Sequence, residues 1–148
     1  MVRKTTHIIF GVGSAIYLCS PPPPILIWCG IFAFLGSILP DFDLKHKHRM
    51  LLHNVFSLVI MSLLVAIILK LTGNYDLYYV WSFIIGYLSH IFSDMFTKAG
   101  VALFYPLSSS RARVIRLRYD NPLINVFFAI IGILLIAKYI YDLIIVGK

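Results

Sequence analysis

The sequence predicts an all-α membrane protein, a polytopic helical bundle with about five membrane-embedded helices in a single domain, residues 1–148. The first observation is composition: 60% of the residues are hydrophobic, only 13% are charged, and the mean hydropathy is +0.90. A soluble domain has roughly 45–50% apolar and about 25% charged residues. The excess indicates a surface that faces lipid. Because an isolated strand cannot satisfy its backbone polar groups in lipid, the apolar segments are predicted to be helices.

The second observation is the spacing of the apolar segments. They cover about 6–19, 25–39, 53–71, 77–98 and 122–146. The prolines from Pro21 to Pro24 separate the first two segments, since consecutive prolines cannot continue a helix. Pro122 is a favoured first-turn residue for the last helix. The first two segments are short for a span that needs about 20 residues, so they could tilt little, thin the bilayer locally or form a short hairpin.

The third observation is the distribution of lysine and arginine. Alternating the loops between the two sides places ten of these residues on one side: Arg3, Lys4, Lys45, Lys47, Arg49, Lys98, Arg111, Arg113, Arg116 and Arg118. The other side has three: Lys70, Lys138 and Lys148. Since basic residues accumulate in cytoplasmic loops, we expect an inner (plasma) membrane protein whose N-terminus is cytoplasmic and whose C-terminus is outside.

The basic loop 107–121 accounts for much of the net charge of +7. Its arginines are expected to contact anionic lipid head groups or an anionic substrate. A nucleic-acid interface is disfavoured, because Tyr119 is the only nearby aromatic residue.

The predicted topology depends only on apolar segments and on lysine and arginine, yet the histidines and several aspartates lie on one of its sides. All five histidines lie on the cytoplasmic half of this topology: His7, His46, His48, His53 and His90. Asp41, Asp43 and Asp94 lie on the same half. Ionisable residues in or beside membrane helices usually face a cavity, a partner or an ion. The clustering therefore indicates a membrane-embedded metal site, and with only two cysteines a thiolate zinc site is not expected.

His90 and Asp94 are the best-placed pair. Their i, i+4 spacing puts both on one helix face, with Gly86 on the same stripe allowing a close helix approach. Imidazole and carboxylate together suit a divalent metal. The alternatives are a His-Asp hydrogen bond or an ion pair between Asp94 and Lys98.

The other candidates have ordinary alternatives as well. Asp41 and Asp43 could converge on an ion, or one could cap a helix. His53 lies just before the third apolar segment, where a bend could bring it to the site. His7 is either a ligand or an interfacial histidine that reaches the head groups. His46 is expected to be solvated.

The ordered set of motifs resembles the YdjM-like family of membrane-bound metal-dependent hydrolases. The motifs span about residues 6 to 106: Thr6-His7 with Gly11, Pro40-Asp41-Phe42-Asp43, His48-Arg49 with His53, Gly86 to His90 with Asp94 and Thr97, and Gly100 with Tyr105-Pro106. The family often has Thr-His-Ser where this chain has Leu52-His53-Asn54. The resemblance implies a metal-dependent hydrolase.

These observations combine into a hypothesis about the reaction. One or two divalent ions, zinc or manganese, are expected to bind the ligand set His7, Asp41, Asp43, His53, His90 and Asp94. His48 is the expected proton donor or supporting partner, and Arg49 is expected to hold a phosphate-like anion. The substrate would be a lipid-like or phosphorylated molecule reached from the membrane.

Two alternatives remain at this point. A membrane scaffold or regulatory adaptor would use the basic loop and would need the His/Asp cluster only for structure. A metal transporter is less expected, because carriers place their sites at mid-membrane.

Overall fold

The computed structural model describes residues 2–45, 51–118 and 120–146, with the backbone only of 43–45 and 146. This part of the chain contains five α-helices and only isolated β-bridges. The helices are α1 (Lys4–Cys19), α2 (Leu26–Ile38), α3 (Val55–Leu71), α4 (Leu77–Asp94) and α5 (Pro122–Tyr141). Short 3-10 helices cover Pro23–Ile25 and Leu39–Lys45, and a π-helical segment covers Asp142–Val146. The all-α prediction is confirmed.

Two helix boundaries differ from those that hydropathy predicts. Helix α3 begins at Val55 rather than at His53, because the side chain of Asn54 accepts a hydrogen bond from the backbone N–H of Ser57 and caps the helix. Helix α4 ends at Asp94 rather than at Lys98. There the Thr97 hydroxyl donates to the backbone carbonyl of Asp94 at 2.8 Å. As a result, His53 lies just before the start of α3, and Asp94 is the last residue of α4.

Small residues let the helices of the bundle approach closely. A Cβ atom built on Gly36 of α2 would lie 2.2 Å from the carbonyl oxygen of Phe83 in α4. A Cβ on Gly86 would lie equally close, at 2.2 Å, to the carbonyl oxygen of Ala33, which confirms the predicted close approach at Gly86. Small residues at helix contacts are typical of membrane bundles, where packing rather than hydrophobicity drives association.

The outer surface of the bundle is apolar. Helix α3 packs on α4 through Leu58, which contacts a cluster that includes Phe83 and Tyr87. Most other large side chains of α3 are exposed, and so are those of α5. Such a surface is stable in lipid and costly in water.

In the part of the chain that the structure describes, two segments are long and apolar enough to cross a membrane, Pro23–Phe42 and Pro122–Ile145. Five membrane-embedded helices are therefore not confirmed. Helix α3 is apolar but has only 17 residues, and α4 carries buried polar residues in its second half. Length and hydropathy alone do not assign these helices to the bilayer.

Because successive helices run in opposite directions, the start of one helix lies beside the end of the next. The start of α1, the end of α2, the approach to α3, the end of α4 and the start of α5 meet at one end of the bundle, which we call the site end. At the opposite end, the Tyr139 hydroxyl of α5 donates to the carbonyl of Pro21 at 2.6 Å.

Candidate metal centre

His90 lies in the last turns of α4 and is completely buried. Its Nδ1 is 2.6 Å from the backbone carbonyl oxygen of Ser37, at the end of α2. A carbonyl only accepts, so Nδ1 carries the proton and donates. Nε2 of His90 then has a free lone pair, and it is through this atom that the side chain can bind a metal ion.

His7 lies in the first two turns of α1, and its ring stacks on that of His90 with centroids 3.8 Å apart. The Ser93 hydroxyl is 2.9 Å from Nδ1 of His7 and donates to the carbonyl of His90. A hydroxyl has one hydrogen, so Ser93 accepts from His7 Nδ1. Nε2 of His7 therefore also presents a lone pair, 3.4 Å from Oδ1 of Asp94.

His53 and Asp41 complete the cluster from two other elements. His53 lies in the bend before α3, with its Nε2 3.3 Å from Nε2 of His90 and 3.6 Å from Oδ2 of Asp94. Asp41 lies in the 3-10 helix after α2, with its Oδ1 3.5 Å from Nε2 of His90. Both side chains are buried. Three imidazoles and two carboxylates thus meet at the site end.

The separations in this cluster are compatible with a shared metal ion. Nε2 of His90 lies 3.3 Å from Nε2 of His53, 3.5 Å from Oδ1 of Asp41 and 3.7 Å from Oδ2 of Asp94. These distances exceed the usual hydrogen-bond range of about 2.7–3.2 Å. Two ligand atoms that each lie about 2.1 Å from a tetrahedrally coordinated ion are about 3.4 Å apart. The donor atoms are therefore spaced as the ligands of one ion would be.

Unpartnered atoms support the same conclusion. Among the described residues, Nε2 of His7, Nδ1 of His53 and both carboxylate oxygens of Asp41 are buried without a hydrogen-bond partner. A buried carboxylate with no compensating partner is costly. Two overlapping groups could hold a metal ion: His7, His90 and Asp94, and Asp41, His53 and His90.

The overlap limits how many ions these residues can hold at once. Nε2 of His90 has one lone pair and can bind only one ion. Asp94 differs because its two oxygens face different histidines, Oδ1 toward His7 and Oδ2 toward His53 and His90. Asp94 is therefore the residue that could bridge two ions.

Five of the six predicted ligands lie together: His7, Asp41, His53, His90 and Asp94. The side chain of Asp43 lies outside the described residues, and so do His46, His48 and Arg49. Two of the ordinary alternatives do not fit the described structure: an interfacial position for His7 and an ion pair between Asp94 and Lys98. His7 is buried rather than interfacial, and the ion-pair contacts of Asp94 in the described chain are to histidines.

The supporting residues were not predicted. Ser93 fixes the orientation of His7, and the carbonyl of Ser37 fixes that of His90. The backbone N–H of Val2 donates to Oδ1 of Asp94 at 2.9 Å. Ser93 lies one turn from His90 on the same helix, which is a usable signal. The contacts of Ser37 and Val2 are made by backbone atoms, which any residue type supplies.

The departure from the family pattern at Asn54 leaves its structural role intact. Asn54 caps α3 by accepting from the backbone N–H of Ser57 at 2.8 Å. Serine is an equally good N-cap residue. The cap fixes the start of α3 directly after His53, so the substitution preserves the position of the histidine.

Fold and cluster together define a helical membrane protein with a buried His/Asp site at one end of its bundle. The chain belongs to the YdjM inner membrane protein family, whose model matches residues 1–146. The match extends the resemblance of residues 6 to 106 through the basic loop and α5. No curated protein and no solved structure gives a significant match to the chain.

Proposed function

We propose that this protein is a membrane-embedded metal-dependent hydrolase that cleaves a phosphoester of a lipid-like substrate at the cytoplasmic face of the membrane. The observation that carries the proposal is the convergence of three imidazoles and two carboxylates in a buried cluster. Structural networks normally satisfy their buried polar atoms, whereas this cluster contains four that have no partner among the described residues.

The ligand set favours one well-held ion. Asp41, His53 and His90, with Oδ2 of Asp94 beside them, offer donors to a single centre. Nitrogen and oxygen donors without thiolate suit zinc or manganese. When bound, such an ion supplies Lewis-acid polarisation of a phosphoryl oxygen and lowers the pKa of water. A second ion would need His7, Oδ1 of Asp94 and further ligands, for which Asp43 and His48 are the candidates.

The surrounding residues orient the donors and exclude water. The Ser37 carbonyl and the Ser93 hydroxyl fix the two imidazole rings before any ligand arrives, and such preorganisation raises ligand basicity. Two further roles are proposed on the basis of the sequence alone. His48 would donate a proton, and Arg49 would hold the phosphate of the substrate.

The surface around the site end suits an anionic lipid. The loop after α4 folds back onto the end of that helix, because the backbone N–H of Val114 donates at 2.8 Å to the carbonyl of Met95, the C-cap residue of α4. Its arginines at 113 and 116 are exposed. Basic groups beside the bilayer attract phosphate head groups, which supports a cytoplasmic site end and a phosphorylated lipid as substrate.

The experiment compares two identical substitutions at opposite ends of the bundle. Phosphate release from phosphatidate in mixed micelles is measured with added zinc or manganese for the wild type, Asp94→Asn and Asp142→Asn. We expect Asp94→Asn to remain folded and lose activity by about 100-fold or more, since losing even a supporting partner of a ligand costs about 10–100-fold. Asp142→Asn should retain activity.

Two results would contradict the proposal. One is wild-type protein without stoichiometric metal, even after supplementation. The other is metal-loaded protein with no phosphatase activity on phosphatidate or on polyprenyl phosphate, which would favour the adaptor.

A further inference from the structure

Val2, two residues before α1, lies inside the protein rather than on its surface. Val2 is 1% exposed and packs with Ile124 and Phe128 of α5. Its backbone N–H is the donor that reaches Oδ1 of Asp94. Val2 is therefore part of the surroundings of the candidate metal centre.

One side chain of α5 holds this segment in place. Oδ1 of Asn125 accepts hydrogen bonds from the backbone N–H of Arg3 at 2.9 Å and from the hydroxyl of Thr6 at 3.1 Å. Its Nδ2 donates to the carbonyl of Asn121 at 2.9 Å, which fixes the orientation of the amide. Asn125 is 6% exposed, so water does not replace these bonds.

These bonds substitute for a missing local cap. The first N–H groups of a helix have no partner within the helix, and Arg3, the N-cap residue of α1, provides no side-chain hydrogen bond. Asn125 supplies the acceptor from another helix. His7 follows directly, because its backbone N–H donates to the carbonyl of Arg3 at 3.1 Å.

We propose that Asn125 is a positioning residue for the metal centre, and that its hydrogen bonds to Arg3 and Thr6 hold the start of α1 against α5. We call these two hydrogen bonds the clasp. The clasp sets the places of the Val2 amide and of the His7 imidazole, which approach the same oxygen of Asp94. This inference rests on the proposed function, since it assigns Asn125 a role in metal binding. Residues that orient ligands in this way change metal affinity about 10–100-fold when they are removed.

The test measures zinc affinity by competition with a chromophoric chelator, in detergent, for Asn125→Leu and Asn125→Asp. Leucine removes the acceptor, whereas aspartate keeps an oxygen in the same position. We expect Asn125→Leu to weaken zinc binding about 10-fold or more and Asn125→Asp to remain within about 3-fold of the wild type, since the acceptor is preserved. Activity is not needed for this readout.

Tyr139→Phe is the matched control, because it removes one hydrogen bond between α5 and the turn after α1 at the opposite end. It should lower thermal stability without changing zinc affinity. Zinc affinity equal to the wild type in a folded Asn125→Leu protein would overturn the proposal. So would an equal loss in the leucine and aspartate variants.

A second readout separates this inference from the proposed function. Amide hydrogen exchange at residues 2–7 of metal-free protein should be faster in Asn125→Leu and unchanged in Tyr139→Phe. Wild-type protein that binds no zinc would contradict the proposed function and the metal role of Asn125, even where the exchange data show the clasp. Unchanged exchange in Asn125→Leu would contradict the clasp itself.

Discussion

The two ends of the bundle both carry aspartates, but the surroundings of these carboxylates differ. At the opposite end, Asp76 caps α4 by accepting from the backbone N–H of Tyr78 at 2.8 Å. Asp142 forms an ion pair with Lys138, one turn earlier, at the exposed end of α5. These two carboxylates have partners of the kind that stabilise helix ends and surfaces.

At the site end, Asp41 and Asp94 are buried and face imidazole nitrogens across gaps longer than hydrogen bonds. Neither oxygen of Asp41 has a hydrogen-bond partner in the described chain. An aspartate of this bundle is therefore a candidate metal ligand only when its oxygens are buried and converge with other donors.

The largest effect is expected where helix packing holds the site end together. Gly36→Ala places a Cβ against the backbone of Phe83, and Ser37, the next residue, fixes His90. Overpacking against backbone costs about 3 kcal/mol, so we expect lower thermal stability and loss of stoichiometric zinc.

Gly30→Ala is the control for that prediction, since Gly30 lies in the same helix with nothing within 4 Å of its Cβ position. Alanine there should be neutral or stabilise the protein by up to about 1 kcal/mol. Equal melting temperatures for the two variants would show that the close contact between α2 and α4 does not support the site.

A smaller effect is expected from Ser93→Ala, which removes the partner of His7 Nδ1. Zinc affinity, measured by chelator competition, should fall about 10-fold. Ser62→Ala in α3 is the matched control, because its hydroxyl also donates to a backbone carbonyl in its own helix but touches no histidine. If both serine variants bind zinc like the wild type, Ser93 does not orient His7.

The smallest effects belong to the opposite end. Asp76→Ala should cost about 1 kcal/mol of stability through loss of the cap, and Asp142→Asn less, because exposed ion pairs contribute little. Zinc content and affinity should be unchanged in both, as measured on the detergent-purified proteins. Metal loss in either variant would remove the distinction between the two ends.

Hydropathy was sufficient to predict the helices, because lipid requires long apolar segments with internally bonded backbones. It did not predict that α4 ends at Asp94 or that α3 begins after Asn54, because those limits depend on side-chain hydrogen bonds. It also predicted five membrane-embedded helices, whereas two segments of the described residues have the length and hydropathy to cross a membrane.

The sequence was sufficient to predict which residues belong to the candidate site, but not how their side chains contact one another. The spacing of His90 and Asp94 placed them on one helix face, and the topology placed the other histidines at the same end. The stacking of His7 on His90 and the supporting contacts from Ser37 and Val2 depend on how three helices meet. No sequence pattern encodes contacts that backbone atoms make.

Anomalous scattering from zinc-loaded crystals shows whether the cluster around His90 binds a metal ion. We expect an anomalous peak about 2.0–2.1 Å from Nε2 of His90, within reach of His53 and of a carboxylate oxygen of Asp41 or Asp94. A structure of zinc-saturated protein with no peak in this cluster, and with the imidazoles bonded only to protein groups, would contradict this expectation.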